Sequence, residues 1–128
     1  MSAMSDFLEL EVLDHVLGTG SYTMPTTVRI GLSTGSFGDD NSGTELSGSG
    51  YARQAITFAA ASSGSAATNA TVTFPTATGS WGAVSHWGIF DAASSGNLLI
   101  HGAFATPKTI TSGDVLRINS GDLTVTAA

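Results

Sequence analysis

The sequence predicts an all-β protein: an antiparallel β-sandwich of jelly-roll-like form with one short N-terminal helix. Three observations carry this. The chain of 128 residues is one domain, long enough for a single core but not for two. From residue 26 onward it breaks into short runs with alternating apolar residues, separated by clusters of Gly, Ser, Asn and Asp, as in antiparallel sandwiches and barrels. Two apolar, aromatic-rich runs between Trp81 and Gly102 also flank a short Ala-Ala-Ser-Ser-Gly segment, which reads as a β-hairpin.

The first expected element is a helix over Ser5 to Leu17. Ser5 can cap it, Asp6 and Glu9 suit the positive end of its dipole, and Gly18 can end it in a left-handed conformation. Leu10, Leu13 and Leu17 make one stripe, while Phe7, Leu8, Val12 and Val16 widen the apolar arc. Residues 1–20 therefore read as a helical arm, and residues 21–128 as the sandwich. The helix either plugs one end of the sandwich or docks on a neighbouring subunit.

Strands follow at Thr26–Ser33, Tyr51–Ala60, Ala70–Phe74, Ala83–Asp91, Asn97–Phe104, Val115–Ile118 and Leu123–Thr126. Alternation of Val28, Ile30 and Leu32, of Ile56 with Phe58, and of Val72 with Phe74 nominates these side chains for the core. Ser112-Gly113-Asp114 and Ser120-Gly121-Asp122, eight residues apart, read as two successive turns. In the hairpin, strict alternation puts Val84, His86, Gly88 and Phe90 on one face and Ser85, Trp87, Ile89 and Asp91 on the other. Neither face is polar. One is expected to meet the core and the other some further cover, such as another chain.

Composition limits the function. Charged residues are 11% of the sequence, against roughly 25% in ordinary soluble domains, and a surface so poor in charge favours packing against neighbours. The net charge of −6 arises from ten acids against Arg29, Arg53, Lys108 and Arg117. These four bases are scattered in sequence, so no phosphate-neutralising patch is expected and nucleic acid is excluded as a partner. Cysteine is absent, which rules out disulfides and thiolate metal sites. No apolar run approaches the ~20 residues of a membrane span, and no signal peptide is recognisable. The expectation is a soluble protein without a membrane partner.

Catalytic and ligand-binding patterns are weak. Asp39, Asp40, Asn41 and Glu45 lie in the long polar loop Gly35–Gly50, but their spacing does not match a calcium loop. His86 and His101 could meet across the hairpin with Asp91 near, yet a third ligand is missing. Ser85 and His86 are sequence neighbours, which on a regular strand places them on opposite faces and excludes a nucleophile–base contact. Gly48-Ser49-Gly50 and Gly18-Thr19-Gly20 lack the following helix of a phosphate loop. No catalytic residue, metal or cofactor is expected, and the protein is read as a non-enzyme. Candidate interface residues are Phe7, Leu8, Val12 and Val16 on the helix, Phe37 in the loop, and Trp81 and Trp87 on the hairpin. The helix and the loop Gly35–Gly50 are expected to supply much of the contact with neighbours, the loop by ordering on its partner.

Several blocks of this sequence resemble small tailed-bacteriophage structural proteins. They are Gly50-Tyr51-Ala52-Arg53-Gln54, Phe74-Pro75, Trp81-Gly82, Phe90-Asp91-Ala92, Gly96-Asn97-Leu98-Leu99, Pro107-Lys108-Thr109 and Gly121-Asp122-Leu123-Thr124-Val125, in that order. The likeness spans nearly the whole chain, Leu13-Asp14-His15 included. It implies a virion structural protein assembled in the host cytoplasm. The role expected first is decoration of the outer capsid, with the major capsid protein as partner and a homodimer or homotrimer as the assembling unit. A tail-fibre or baseplate component is the alternative implied. Apart from the resemblance, the residues leave open an enzyme or ligand-binding module, such as a carbohydrate-binding sandwich using Trp81 and Trp87 as stacking platforms, a reading that the composition disfavours.

Overall fold

A computed structural model describes residues 2–126 of the protein; Met1, Ala127 and Ala128, at the two ends of the expected arm and sandwich, lie outside the described residues. In chain order the elements are β1 (Ser2–Met4), α1 (Asp6–Val16), β2 (Val28–Ser33), β3 (Gln54–Ile56), β4 (Ser65–Ala67), β5 (Val72–Thr73), β6 (Gly82–Phe90), β7 (Leu98–Ile110), β8 (Arg117–Ile118) and β9 (Thr124–Thr126). Among the described residues the regular structure is mostly antiparallel strand, with one short helix, as the sequence predicts.

Helix α1 begins as expected. The Ser5 hydroxyl accepts the Leu8 N–H at 3.2 Å and also donates to the Leu98 carbonyl. That double use explains why this serine is buried. Leu17 caps the far end by donating its N–H to Leu13 at 2.9 Å, and Gly18 follows at φ +79°. Just before the helix, Ser2–Met4 pair with Gly102–Ile100 of β7, an edge strand that three residues of sequence do not reveal.

One layer is a five-stranded sheet in the order β1-β7-β6-β2-β3. The hairpin read from Trp81–Gly102 is its centre, with Phe90 opposite Leu98 and Gly82 opposite Ile110. Its turn is closed by Asp91, whose carboxylate accepts the Asn97 backbone N–H at 2.7 Å and the Asn97 side-chain amide at 3.0 Å. The second layer is built from the short pairs β5–β8 and β4–β9 and from a bridge between Phe58 and Thr68. The two Ser-Gly-Asp turns hold this layer in equivalent ways. Gly113 donates to Ala77 O and Gly121 to Thr68 O, both at 2.7 Å, while Asp114 and Asp122 each donate to the carbonyl three residues back, at 3.0 Å.

Between the layers lies one apolar cluster that includes Ile30, Leu32 and Ile56 from the large sheet, Val72 and Ile118 from a small one, and Phe74, Leu116 and Leu123 from the segments next to the short strands. Phe58 packs at its margin. The strand phases read from Ile30, Leu32, Ile56, Val72 and Phe74 therefore hold.

The hairpin phase does not, and a bulge is the reason. Val84 pairs with Lys108 and His86 with Ala103, so Ser85 alone faces the segment Phe104–Pro107. The irregularity resets the alternation and puts Val84 in the core with Trp87 and Ile89, not with His86, Gly88 and Phe90. It also accommodates Pro107, which cannot donate to a regular ladder, within a strand longer than the one predicted to end at Phe104.

Candidate functional site

The second face of the hairpin is covered by the chain's own loop. Gly31 and Gly88 are directly opposite each other on β2 and β6, and together they leave a notch in the sheet. A Cβ on Gly31 would stand 2.7 Å from the Glu45 carboxylate, and one on Gly88 would stand 2.8 Å from Leu98. Into that notch Phe37 packs edge-on to Phe90, with ring centroids 5.5 Å apart, and both are buried with Leu98.

Above the notch, Arg53 forms a two-pronged ion pair with Glu45, Nε to Oε2 at 2.9 Å and the guanidinium NH2 to Oε1 at 2.7 Å. The same guanidinium lies 3.6 Å over the Phe90 ring and donates to the Ala92 and Ser95 carbonyls at 2.9 and 2.8 Å. Tyr51 completes the clamp: its hydroxyl donates to Glu45 at 2.5 Å and accepts the Leu32 N–H at 2.9 Å. Burial, reinforced by the hydrogen bond to Glu45, pushes the Tyr51 phenol well above its ordinary value.

Further hydrogen bonds pin the loop along its length: Ser33 Oγ to Thr44 O at 2.6 Å, Leu46 N to Leu32 O at 2.9 Å, and Asp6 N to Asp39 O at 2.8 Å. A loop held this way does not await a partner to order it, which corrects that expectation. Its acids are engaged within the chain. Asp39 meets His101 Nε2 at 2.7 Å. The Asp40 carboxylate accepts the Ser42 N–H at 3.1 Å, and its contacts with Ser42 hold it below the usual carboxylate range.

The contact between Ser85 and His86, excluded on regular-strand geometry, is present: Ser85 Oγ lies 2.7 Å from His86 Nδ1. The bulge brings both side chains to one side. No carboxylate is bonded to His86 among the described residues, and Asp91, the nearest acid in sequence, is spent on the hairpin turn. The register sets His86 and His101 diagonally on the same face, but His101 turns to Asp39. Among the described residues, no three His, Asp or Glu side chains gather as a metal site would need.

The candidate interface residues divide sharply. Trp87 (2% exposed), Phe37 (1%), Trp81 (5%) and Leu8 (9%) are enclosed by their own chain, and Trp81 donates its indole N–H to Ser49 O at 2.9 Å. They offer no surface to a neighbour, nor are the two tryptophans available as sugar-stacking platforms. Phe7 and Val12 are half-buried, and Val16 is exposed. The open apolar surface is instead the stripe of Leu10 (64%), Leu13 (55%) and Leu17 (70%), with Val16 and with Met24 beyond the helix. The i, i+3, i+7 spacing made that stripe visible in the sequence. What spacing could not give was its orientation, which is set by Ser5 tying the helix start to β7 through Leu98 and Leu99. The bases described as scattered also need correction: Lys108 and Arg117 line one cavity, together with Val84, Phe104, Leu116 and Leu123.

Compared with known proteins, residues 3–126 match the model of a family described as Podophage GP4 fiber I protein gp80. No curated protein matches the chain.

Proposed function

The chain belongs to the podophage fiber I protein gp80 family, a family of phage virion structural proteins, and from that premise we propose that it is a fibre building block, attached through the open face of its N-terminal helix. The observation that carries the attachment is the exposure of Leu10, Leu13, Val16 and Leu17, between 55% and 72%, on a domain whose other large apolar groups are mostly enclosed. An apolar patch of this kind on a charge-poor protein marks an interaction surface. The rest of the molecule suits load-bearing work by binding, not catalysis: the loop is clamped, and among the described residues no acid is bonded to the Ser85–His86 pair.

A second reading, decoration of the outer capsid with the major capsid protein as partner, is supported by the same helix face and the same low charge. The family description favours the fibre. In either role many copies of a modest contact add up to firm attachment.

The test is the pair of substitutions Leu13→Glu and Leu17→Glu, made together in the full chain. Both positions are exposed, so thermal stability measured by circular dichroism is expected to stay close to wild type. Incorporation into particles, measured as copies co-sedimenting with virions that lack the protein, is expected to be lost. A folded variant that incorporates at the wild-type level overturns the docking role of the helix. Electron microscopy of particles carrying a tagged wild-type chain separates fibre from capsid surface.

A further inference from the structure

We infer that the helix face of one copy docks on the Lys108/Arg117 cavity of a second copy, in a head-to-tail contact. This rests on reading the helix face as a docking surface and goes further by naming what it meets.

The helix limits its partner by charge. Asp6, Glu9, Glu11 and Asp14 are four of the ten acids in the chain, set within nine residues, and His15 is turned to the Tyr22 N–H at 3.2 Å. The exposed leucines 10, 13 and 17 follow a three–four spacing, the seam along which two helices pair. Glu9 and Asp14 flank that seam, so pairing the helix with its own copy would bring acid against acid. An apolar surface bordered by cations is what fits.

This chain carries such a surface. Of its four bases, Arg53 is consumed by Glu45. Lys108 on β7 and Arg117 on β8 border one cavity of about 190 Å³, with Phe104 half-buried in its wall and the core residues Val84, Leu116 and Leu123, themselves buried, at its floor. Both are exposed, and neither forms an ion pair among the described residues. Asn119 and Asp122 complete the rim, leaving it one positive charge in excess. The space suits one large aliphatic side chain and is small for a drug-sized ligand. A leucine knob between carboxylates thus meets a hole between cations.

The two surfaces cannot meet within one molecule. The helix is anchored beside Leu98 and Leu99, at the end of the sheet where Ile100 pairs with Ile89, whereas Lys108 pairs with Val84. Five residues of β6 separate those pairs, about 17 Å at ~3.3 Å per residue. Because the contact joins two different patches, it is heterologous: it closes into a ring or propagates as a filament.

The experiment is sedimentation velocity of the full-length chain over a range of concentrations and salt. Wild type is expected to self-associate at low salt, and less so at about 0.5 M, where charges are screened within a few ångströms. Lys108→Glu with Arg117→Glu is expected to weaken association roughly tenfold or more, since like charges facing each other oppose docking. Glu9→Lys with Asp14→Lys is expected to do the same. An equimolar mixture of the two variants restores complementarity and is expected to associate again. Circular dichroism checks folding, and if the charge reversal unfolds the domain, Lys108→Gln with Arg117→Gln replaces it with the same expected direction.

The inference is overturned if the wild type stays monomeric, if the cavity variants associate like wild type, or if the mixture remains monomeric. Loss of particle incorporation by the Leu13→Glu, Leu17→Glu chain in the face of any of those results would leave the docking role standing and assign the helix to a different virion protein.

Discussion

Replacing Arg53 by alanine tests the clamp that closes the loop over the sheet. The Arg53 side chain is 7% exposed and that of Glu45 is 23% exposed, so the substitution strands a carboxylate that is largely cut off from water. Removing one member of a buried ion pair costs about 3–5 kcal/mol. Two features move the value within that range. The Ala92 and Ser95 carbonyls lose their donor and Phe90 loses its stacked cation, which raises it. Glu45 keeps the Tyr51 hydroxyl and can be reached by some water, which lowers it. We expect about 3 kcal/mol, a large share of the roughly 5–15 kcal/mol available to a domain. Urea unfolding followed by the fluorescence of the buried Trp81 and Trp87 reads it directly. With a slope of roughly 1.5 kcal/mol/M, the midpoint falls by about 2 M at unchanged slope. Arg53→Lys falls between, because an ammonium has neither the fork for Glu45 nor the flat face for Phe90. Combining Arg53→Ala with Glu45→Ala costs less than the sum of the two, since each single change leaves the other partner stranded. A midpoint shift below about 0.5 M for Arg53→Ala, or strict additivity in the double variant, would refute the clamp.

Phe74 is 1% exposed and contacts Tyr51 and Trp81 through its ring, so Phe74→Ala is expected to cost about 3–5 kcal/mol through the cavity it leaves, seen as a lowered denaturation midpoint. The Tyr51 phenol, ordinarily ionising at 10.0, is raised in the folded chain; the folded state therefore keeps this proton after the unfolded state has lost it, and the stability it contributes is present below about pH 10 and declines as pH rises beyond. Tyr51→Phe should flatten that alkaline decline in the urea midpoint, leaving the smaller part due to the raised Tyr22, while lowering stability at neutral pH by about 1–3 kcal/mol because the Leu32 N–H and Glu45 lose a partner. An alkaline limb as steep as in wild type would place the titrating group elsewhere.

What could be read from the sequence depended on whether the signal was local. The helix and its cap, the hairpin, the paired Ser-Gly-Asp turns and the inward phases of Ile30, Leu32, Val72 and Phe74 follow from spacing and turn chemistry within a few residues. Where a feature depends on contacts far apart in the chain, spacing says nothing. Strand β1 exists only because β7 offers it an edge. The bulge at Ser85 is set by how Val84 and His86 pair with residues five positions apart on β7, and it reverses both the expected place of Val84 and the expected separation of Ser85 from His86. Three of the expected interface residues, Phe37, Trp81 and Trp87, fail for the same reason: an exposed tryptophan and a buried one look alike in a sequence, and only the Gly31–Gly88 notch and the second layer show which aromatic groups are already covered.

The sequence blocks that carry the family likeness take on physical roles once the fold is known. Arg53, from one block, meets Phe90 and the Ala92 carbonyl, from another, at the clamp, and Glu45 from the loop between β2 and β3 joins Arg53 to Tyr51 of the same block. Trp81 and Phe74 pack against the Tyr51 ring. The blocks that meet at the clamp fix the rigid body of the protein, so likeness within them speaks for a shared scaffold, whereas Leu13-Asp14-His15, Pro107-Lys108-Thr109 and Gly121-Asp122-Leu123-Thr124-Val125 also place residues on the helix stripe and at the Lys108 cavity. The contact proposed above uses two surfaces of this scaffold, the acidic leucine stripe of the helix and the cavity bordered by Lys108 and Arg117. Because the clamp holds the loop without help, substitutions at either surface can be judged by what they do to assembly, with folding measured separately on the same chain.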